Sequence, residues 1–382
     1  MPQFRVRLYS VVIVAGVSGL GGGGAQAQPA KELMLHSFGA SNDGSYPGSA
    51  LTDASGTLYG VTIEGPAKPN DGTLFSLTPN GSENVSNKFT GANGSGPQAS
   101  LLDVNGALFG STVNGGTYND GTVYERLTSG RIKILHDFAG NPTDGQYPSA
   151  ALIEVNGVFY GTTQLGGEYN EGTVYSVTGS GEETIVHSFG SGADGSDPAA
   201  DALVDLGGVL YGTTFSGGAS GKGTVYSITL SGNESVLHSF GGTGDGASPY
   251  GSLIAYKGTL YGTTTAGGQF DSYGTVYKIS PSGSEAVIHS FGQGDDGQGP
   301  EGALLNVSGT FYGTTQSGGQ YGGGTVYQIS PSGAEKILYG FAGGQTDGAH
   351  PEAGLVQLGG SLYGTTTFGG AYYEGTAFSI TP

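Results

Sequence analysis

Four sets of residues in this chain have types and spacing that could do chemistry, and all four recur at a fixed interval. Asp43, Asn93, Asp144, Asp194, Asp245, Asp296 and Asp347 each precede a glycine in the pattern D/N-G-x-x-P. Carboxylates arranged in this way could hold a cation or a polyhydroxyl ligand. They are equally suited to turn chemistry, because an Asp side chain bonds its own backbone at an Asp-Gly step. No D-x-D-x-D-G calcium loop is present. Aromatic residues form a second set: Tyr118, Tyr169, Phe270, Tyr321 and Tyr372 each follow a Gly-Gly pair by two residues. Ser220 interrupts this set, and Gly65-Pro66 replaces the first pair. Exposed rings could stack on sugars or anchor a protein, and covered rings would serve packing. The third set is His36, His136, His187, His238 and His289, with Asn87 and Tyr339 in the two remaining equivalent positions. The fourth comprises threonine pairs such as Thr213-Thr214, which would need a recurring neighbouring base to act as nucleophiles, and none recurs. Neither G-x-S-x-G, H-E-x-x-H nor a phosphate loop occurs, and the chain has no cysteine.

The interval that carries these residues is about 50 long. Tyr59-Gly60, Phe109-Gly110, Tyr160-Gly161, Tyr211-Gly212, Tyr261-Gly262, Tyr312-Gly313 and Tyr363-Gly364 anchor seven copies of one phrase. Such a strict period means one supersecondary unit copied in tandem. Within a unit, four short runs of β-branched and aromatic residues are separated by Gly, Pro, Ser or Asn, as in Ser252–Ala255, Thr259–Thr264, Thr275–Ser280 and Glu285–Phe291. These are strands a to d, counted outward, of a β-propeller blade. The glycine after each anchor Tyr is expected to admit a neighbouring backbone, and the Tyr to pack between blades. The last repeat ends after strand c, while Leu33–Phe38 is an orphan strand d. The expectation is an all-β, seven-bladed β-propeller of four-stranded blades, its ring closed by the N-terminal strand completing the last blade.

The combined pattern P-x-x-x-L, L-Y-G-T-T-x-x-G-G, G-T-V-Y, H-S-F-G and D-G-x-x-P resembles the GloVer tandem-repeat family of bacterial exported proteins over residues 33–382. The resemblance implies a secreted or cell-surface location and brings no catalytic residues. A weaker likeness to kelch blades rests on the Gly-Gly pair, although the chain has no tryptophan.

Strand alternation places the long b–c and d–a loops on one face, where function usually resides. The five aromatics, with Asp144, Asp194, Asp245, Asp296 and Asp347, are the candidate ligand-binding residues. The histidines lie in outer strands of different blades, too far apart to share one ion, so no metal site and no cofactor is expected. Between-blade hydrogen bonding is their expected role. An exported binding module for a glycan or surface protein is the leading expectation, with no catalytic residue assigned. The alternatives are a propeller hydrolase or lyase using blade-specific acids (Glu64, Glu168, Glu171, Asp271, Glu301, Glu352 and Glu374) and a structural or adhesive protein.

Charge narrows the partners. The 382 residues carry a formal charge of −19, which disfavours nucleic acid and anionic membrane surfaces. Residues 1–27 read as a secretory signal: Arg5 and Arg7, an apolar run from Val11 to Leu20, and Ala25-Gln26-Ala27. That run is shorter than the about 20 residues a membrane span needs. Removing the segment leaves 10 basic and 31 acidic residues, a charge of −21. The remainder, 28–382, is expected to be one exported, monomeric domain, secreted or periplasmic, without membrane insertion or a C-terminal anchor.

Overall fold

A computed structural model describes residues 32–66, 71–198, 202–270 and 272–382. The signal-like segment 1–27 and Asp271 lie outside them. The described residues form strands and loops only, arranged as a seven-bladed β-propeller of four-stranded antiparallel sheets. In blade 1, strands a to d are Thr52–Ala54, Thr57–Thr62, Thr73–Leu77 and Glu83–Lys88. The a–b hairpin closes in two residues, Ser55 and Gly56, both at positive φ. That is the turn whose twist matches a tight antiparallel pair. The short a strands of blade 1 and its neighbours on both sides touch one another, which makes them the innermost strands of the ring.

Blade 7 takes strands a to c from Val356–Leu358, Ser361–Thr366 and Thr376–Ile380, and strand d from Glu32–Ser37. The register runs from Glu32 opposite Ile380 to Ser37 opposite Thr376. The N-terminal strand therefore closes the ring, and without it strand c of blade 7 would be an open edge.

Each blade has two apolar faces, and each is covered by the next blade. Seven buried clusters fill the seven seams. Between blades 3 and 4, Tyr160, Val174 and Phe189 meet Leu203, Leu210, Tyr226 and Ile228. At the closing seam, Phe38, Tyr363 and Ala377 meet Leu51, Leu58, Phe75 and Leu77. The anchor tyrosines pack between blades as expected. The glycine after each one corrects the expectation. A side chain on Gly161 would strike the Tyr175 ring, and one on Gly60 the Phe75 ring, so the space is kept for an aromatic side chain of strand c and not for a backbone. The proline of each D/N-G-x-x-P loop sits against the glycine that opens strand c of the preceding blade. Pro198 against Gly172 is one example, and that glycine is held at φ +99°.

Every d strand carries a β-bulge. Met34 pairs with Phe378 and His36 with Ala377, so Leu35 has no partner; in blade 3 Val186 is skipped in the same way. An extra residue reverses the alternation of side chains, so residues on either side of it point to opposite faces.

Phe38 is fully buried at the closing seam. Phe38→Ala should lower the unfolding free energy by about 3–5 kcal/mol, read by chemical denaturation. A chain beginning at Gly39 should unfold at much lower denaturant or aggregate. Unchanged stability in that truncation would refute ring closure by residues 32–37.

Candidate functional site

The d–a loops and the ends of the b strands pair directly, as in Gly145–Gln146 with Leu165–Gly166 and Gly195–Ser196 with Ser216–Gly217. Each d–a loop also reaches back to the preceding blade. Tyr46, Asp197 and Ser248 donate backbone N–H groups to the carbonyls of Glu374, Glu171 and Lys222. The loop-bearing face is thus a continuous hydrogen-bonded collar.

Within this collar the carboxylates of the Asp-Gly loops are turned inward. Asp43 and Asp144 each accept the N–H of the following glycine, at 2.8 and 2.7 Å. Their other oxygens meet the histidine ring: His36 Nε2 lies 2.7 Å from Asp43, and His136 Nε2 lies 3.1 Å from Asp144. His187, His238 and His289 meet Asp194, Asp245 and Asp296 at 3.0, 3.1 and 3.2 Å. Tyr339 donates its hydroxyl to Asp347 at 3.1 Å. The aspartates of the predicted site are therefore held by internal partners at the outer seams.

A third group joins each pair. Glu83, Glu183, Glu234, Glu285 and Glu335 open the d strand of the following blade, and each brings a carboxylate oxygen to within 4.8 Å of the His and Asp donor atoms. Sequence reasoning passed over these glutamates. Their signal was present, since Glu stands four residues before His187, His238 and His289. On a regular strand that spacing puts both side chains on one face. The bulge sends them to opposite seams, so each Glu meets the histidine of the previous blade. The histidines of different blades do not share a site, as expected, but each has its own pair of carboxylates.

Burial raises all five glutamates to about 7, and the neighbouring aspartate adds to the shift while the histidine opposes it. His238 is raised, chiefly by its hydrogen bond to Asp245. For His136, burial acts downward, but the Asp144 hydrogen bond and the charges of Asp144, Glu183 and Asp137 outweigh it and raise it. Asp245 is lowered: burial acts upward, and the bonds from His238, Gly241 and Gly246 outweigh it.

The threonine pairs are structural. The second Thr of each pair bonds a Thr of strand c, as Thr163 does with Thr173 at 2.8 Å. First members such as Thr162 and Thr314 donate to carbonyls of the next blade's loop, at Pro198 and Ala353.

Two positions break the symmetry, and both lie where the d–a loops meet the ends of the b strands. The residue after the loop proline is Gly48, Gln98, Ser149, Tyr250, Glu301 or Glu352; the blade 4 counterpart lies outside the described residues. The residue after the threonine pair is Ile63, Val113, Gln164, Phe215, Thr265, Gln316 or Thr367. The two positions meet. Gln164 donates to Ser149 at 3.0 Å, and the Phe215 and Tyr250 rings meet edge-on at 6.1 Å. Gln316 and Thr367 donate to the two oxygens of Glu352 at 3.1 and 2.8 Å. Burial, with the charge of Glu352 beside it, raises Glu301 to about 8. Among the blade-specific acids, Glu301 lies near enough to Glu352 to feel its charge. Glu168 and Glu171 are exposed in the outer b–c loop.

The predicted aromatics stand outside these positions. Tyr118 and Tyr321 are both 60% exposed, Tyr372 is 52% and Tyr169 is 46%, while Phe270 is half-buried. Tyr373, absent from the predicted set, is 56% exposed beside Tyr372. Rings this exposed contribute little to the core.

Fold and collar define the protein as a seven-bladed propeller built from one repeat. The chain belongs to the Gloeobacter/Verrucomicrobia repeat family, whose model matches residues 7–219 and 200–382. No curated protein sequence matches it. A solved puromycin hydrolase is similar in fold, with a TM-score of 0.53 at 13% identity over 85% of this chain and 50% of its own. A puromycin-hydrolysing peptidase of Mycobacterium tuberculosis gives 0.52 at 12% identity, over 83% and 49%. The chain spans about half the length of these proteins, and at such identity the likeness concerns the fold alone. Among the described residues no helix is long and apolar enough to cross a membrane.

The seam glutamates hold their protons more tightly folded than unfolded. Folding takes up protons between the ordinary carboxylate value and about 7, so stability falls as pH rises through that window. His136 and His238 act in the same direction, since their contribution is lost as pH rises through their raised values. The Asp245 contribution disappears only below its ordinary value. In chelator, calorimetry should show the melting temperature falling from pH 5 to pH 8. Changing all five glutamates to Gln should flatten most of that slope.

Proposed function

We propose that the chain is an exported binding module whose loop-bearing face takes a neutral polysaccharide. The observation that carries this reading is the outward exposure of Tyr118, Tyr169, Tyr321 and Tyr372 on a rigid collar. Flat rings presented at one level suit stacking on sugar faces. The blade-specific positions support the same reading. Glu301 holds its proton more tightly than an ordinary carboxyl, Glu352, Gln316 and Thr367 form a polar patch, and Phe215 and Tyr250 pair edge-on. A charge of −19 works against anionic polymers. Export is proposed from the charged, apolar, Ala-Gln-Ala order of residues 1–27.

Affinity electrophoresis and calorimetry against neutral glucans, mannans and xylans test this. The double variant Tyr321→Ala/Tyr372→Ala should lose about tenfold or more in affinity while melting like the parent. Retained affinity with retained stability would remove the aromatic rim from the site.

One observation favours a second reading, a glycan hydrolase. Burial and the charge of Glu352 raise Glu301, and glycoside cleavage needs one carboxyl that holds its proton as general acid. Reducing-end release from the same polysaccharides should then fall by about 10²–10⁴ in Glu301→Gln. Equal release by wild type and variant, at background level, would leave binding as the function.

A further inference from the structure

We propose that the five His–Asp–Glu triads of the outer seams are divalent-cation sites. Each would take a zinc-like ion on one imidazole nitrogen and two carboxylate oxygens, joining adjacent blades. The triads are His36–Asp43–Glu83, His136–Asp144–Glu183, His187–Asp194–Glu234, His238–Asp245–Glu285 and His289–Asp296–Glu335, with donor atoms within 4.8 Å of one another in each.

Three independent observations support a ligand here. First, the Oε1 atom of every one of these glutamates is buried and lacks a hydrogen-bond partner. A buried carboxylate oxygen without a partner is costly, and it recurs in six seams, the five with a histidine and that of Glu32 beside Tyr339 and Asp347. Second, at one seam all three members change together. Where blade 1 meets blade 2, His, Asp and Glu are replaced together by Asn87, Asn93 and Ile132. Asn87 there bonds Arg126 and the Gly130 carbonyl instead. At the seam where Tyr339 replaces the histidine, Asp347 and Glu32 are kept. Third, the ring-closing triad opens into a cleft of about 500 Å³ lined by His36, Asp43, Glu83 and Lys88, which gives an ion a path.

The donor set selects the ion. Calcium and magnesium favour oxygen ligands throughout, whereas an imidazole with two carboxylates suits zinc or manganese. Zinc bonds of about 2.0–2.2 Å require ligand atoms roughly 3–3.6 Å apart. The His–Asp pairs, at 2.7 to 3.2 Å, already stand close to that separation. The glutamate is the group that must swing inward. Binding displaces the proton between Nε2 and the aspartate and any proton on the glutamate, so protons are released to solvent. The seam of Tyr339, Asp347 and Glu32 has a phenol in place of imidazole and is not counted.

The experiment uses tag-free protein stripped with EDTA at pH 7.5. Zinc is titrated by calorimetry, bound metal is counted by mass spectrometry after gel filtration, and the melting temperature is followed. We expect up to five zinc ions per chain, a raised melting temperature, proton release, and much weaker binding of calcium. Glu83→Gln, Glu183→Gln, Glu234→Gln, Glu285→Gln and Glu335→Gln combined should abolish both the stoichiometric binding and the thermal shift. A gain-of-site variant, N87H/N93D/I132E, should raise the count by one, which a loss of folding cannot mimic. Zinc counts unchanged by either set of substitutions, or calcium binding as tightly as zinc, would overturn the proposal. So would an absence of any zinc-dependent thermal shift in the wild type.

Discussion

Contact between neighbouring sheets is the constraint from which the rest of this structure follows. A blade of four short strands cannot bury its two apolar faces by itself. Each must be covered by the next, and the last must meet the first. Tyr175, Tyr226, Tyr277 and Tyr327 are fully buried in these seams, and the glycines of strand b exist to admit their rings. Because the same seam occurs seven times, a change that suits one seam must be compatible with a neighbour on either side. This explains why the core residues barely vary between repeats, while the residues where the d–a loops meet the ends of the b strands do.

The closing seam differs from the others in covalent connectivity and carries Phe75 and Ala377 where most seams have Tyr and Val. Strand Glu32–Ser37 belongs to the N-terminus but completes a sheet whose other strands lie at the C-terminus. It brings His36 to Asp43 and Glu83 on one side and Glu32 toward Asp347 on the other. The two ends of the chain are therefore held by the same hydrophobic and polar contacts as any internal seam. With no cysteine, no disulfide contributes.

The symmetric and asymmetric positions divide the labour. What repeats, including the Asp-Gly loops, the threonine pairs and the prolines, builds and locks the collar. Where the d–a loops meet the ends of the b strands the blades differ, with Glu352 held by Gln316 and Thr367 in one place and Phe215 against Tyr250 in another. The seam triads stand between these two groups. They repeat, yet one seam has exchanged all three members for neutral residues.

The seven units, the four strands in each, the ring closure and the aromatic register were all legible in the sequence, because they depend on local strand chemistry and on counting. Glu301 and Glu352 could be singled out as blade-specific, but only the fold showed that the charge of one reaches the other. The seam triads were the part hidden from sequence reasoning. Glu183 and His187 look like same-face residues of one strand. A single extra residue, Val186, reverses the alternation, sending His187 forward to Asp194 and Glu234 and leaving Glu183 to face His136. A bulge leaves no residue type in the sequence that marks it, because it is set by how strand c of the same blade pairs. The sequence by itself thus determined the repeat and its closure. The partners of each charged side chain were decided by tertiary structure, because they come from different blades through a shift in register.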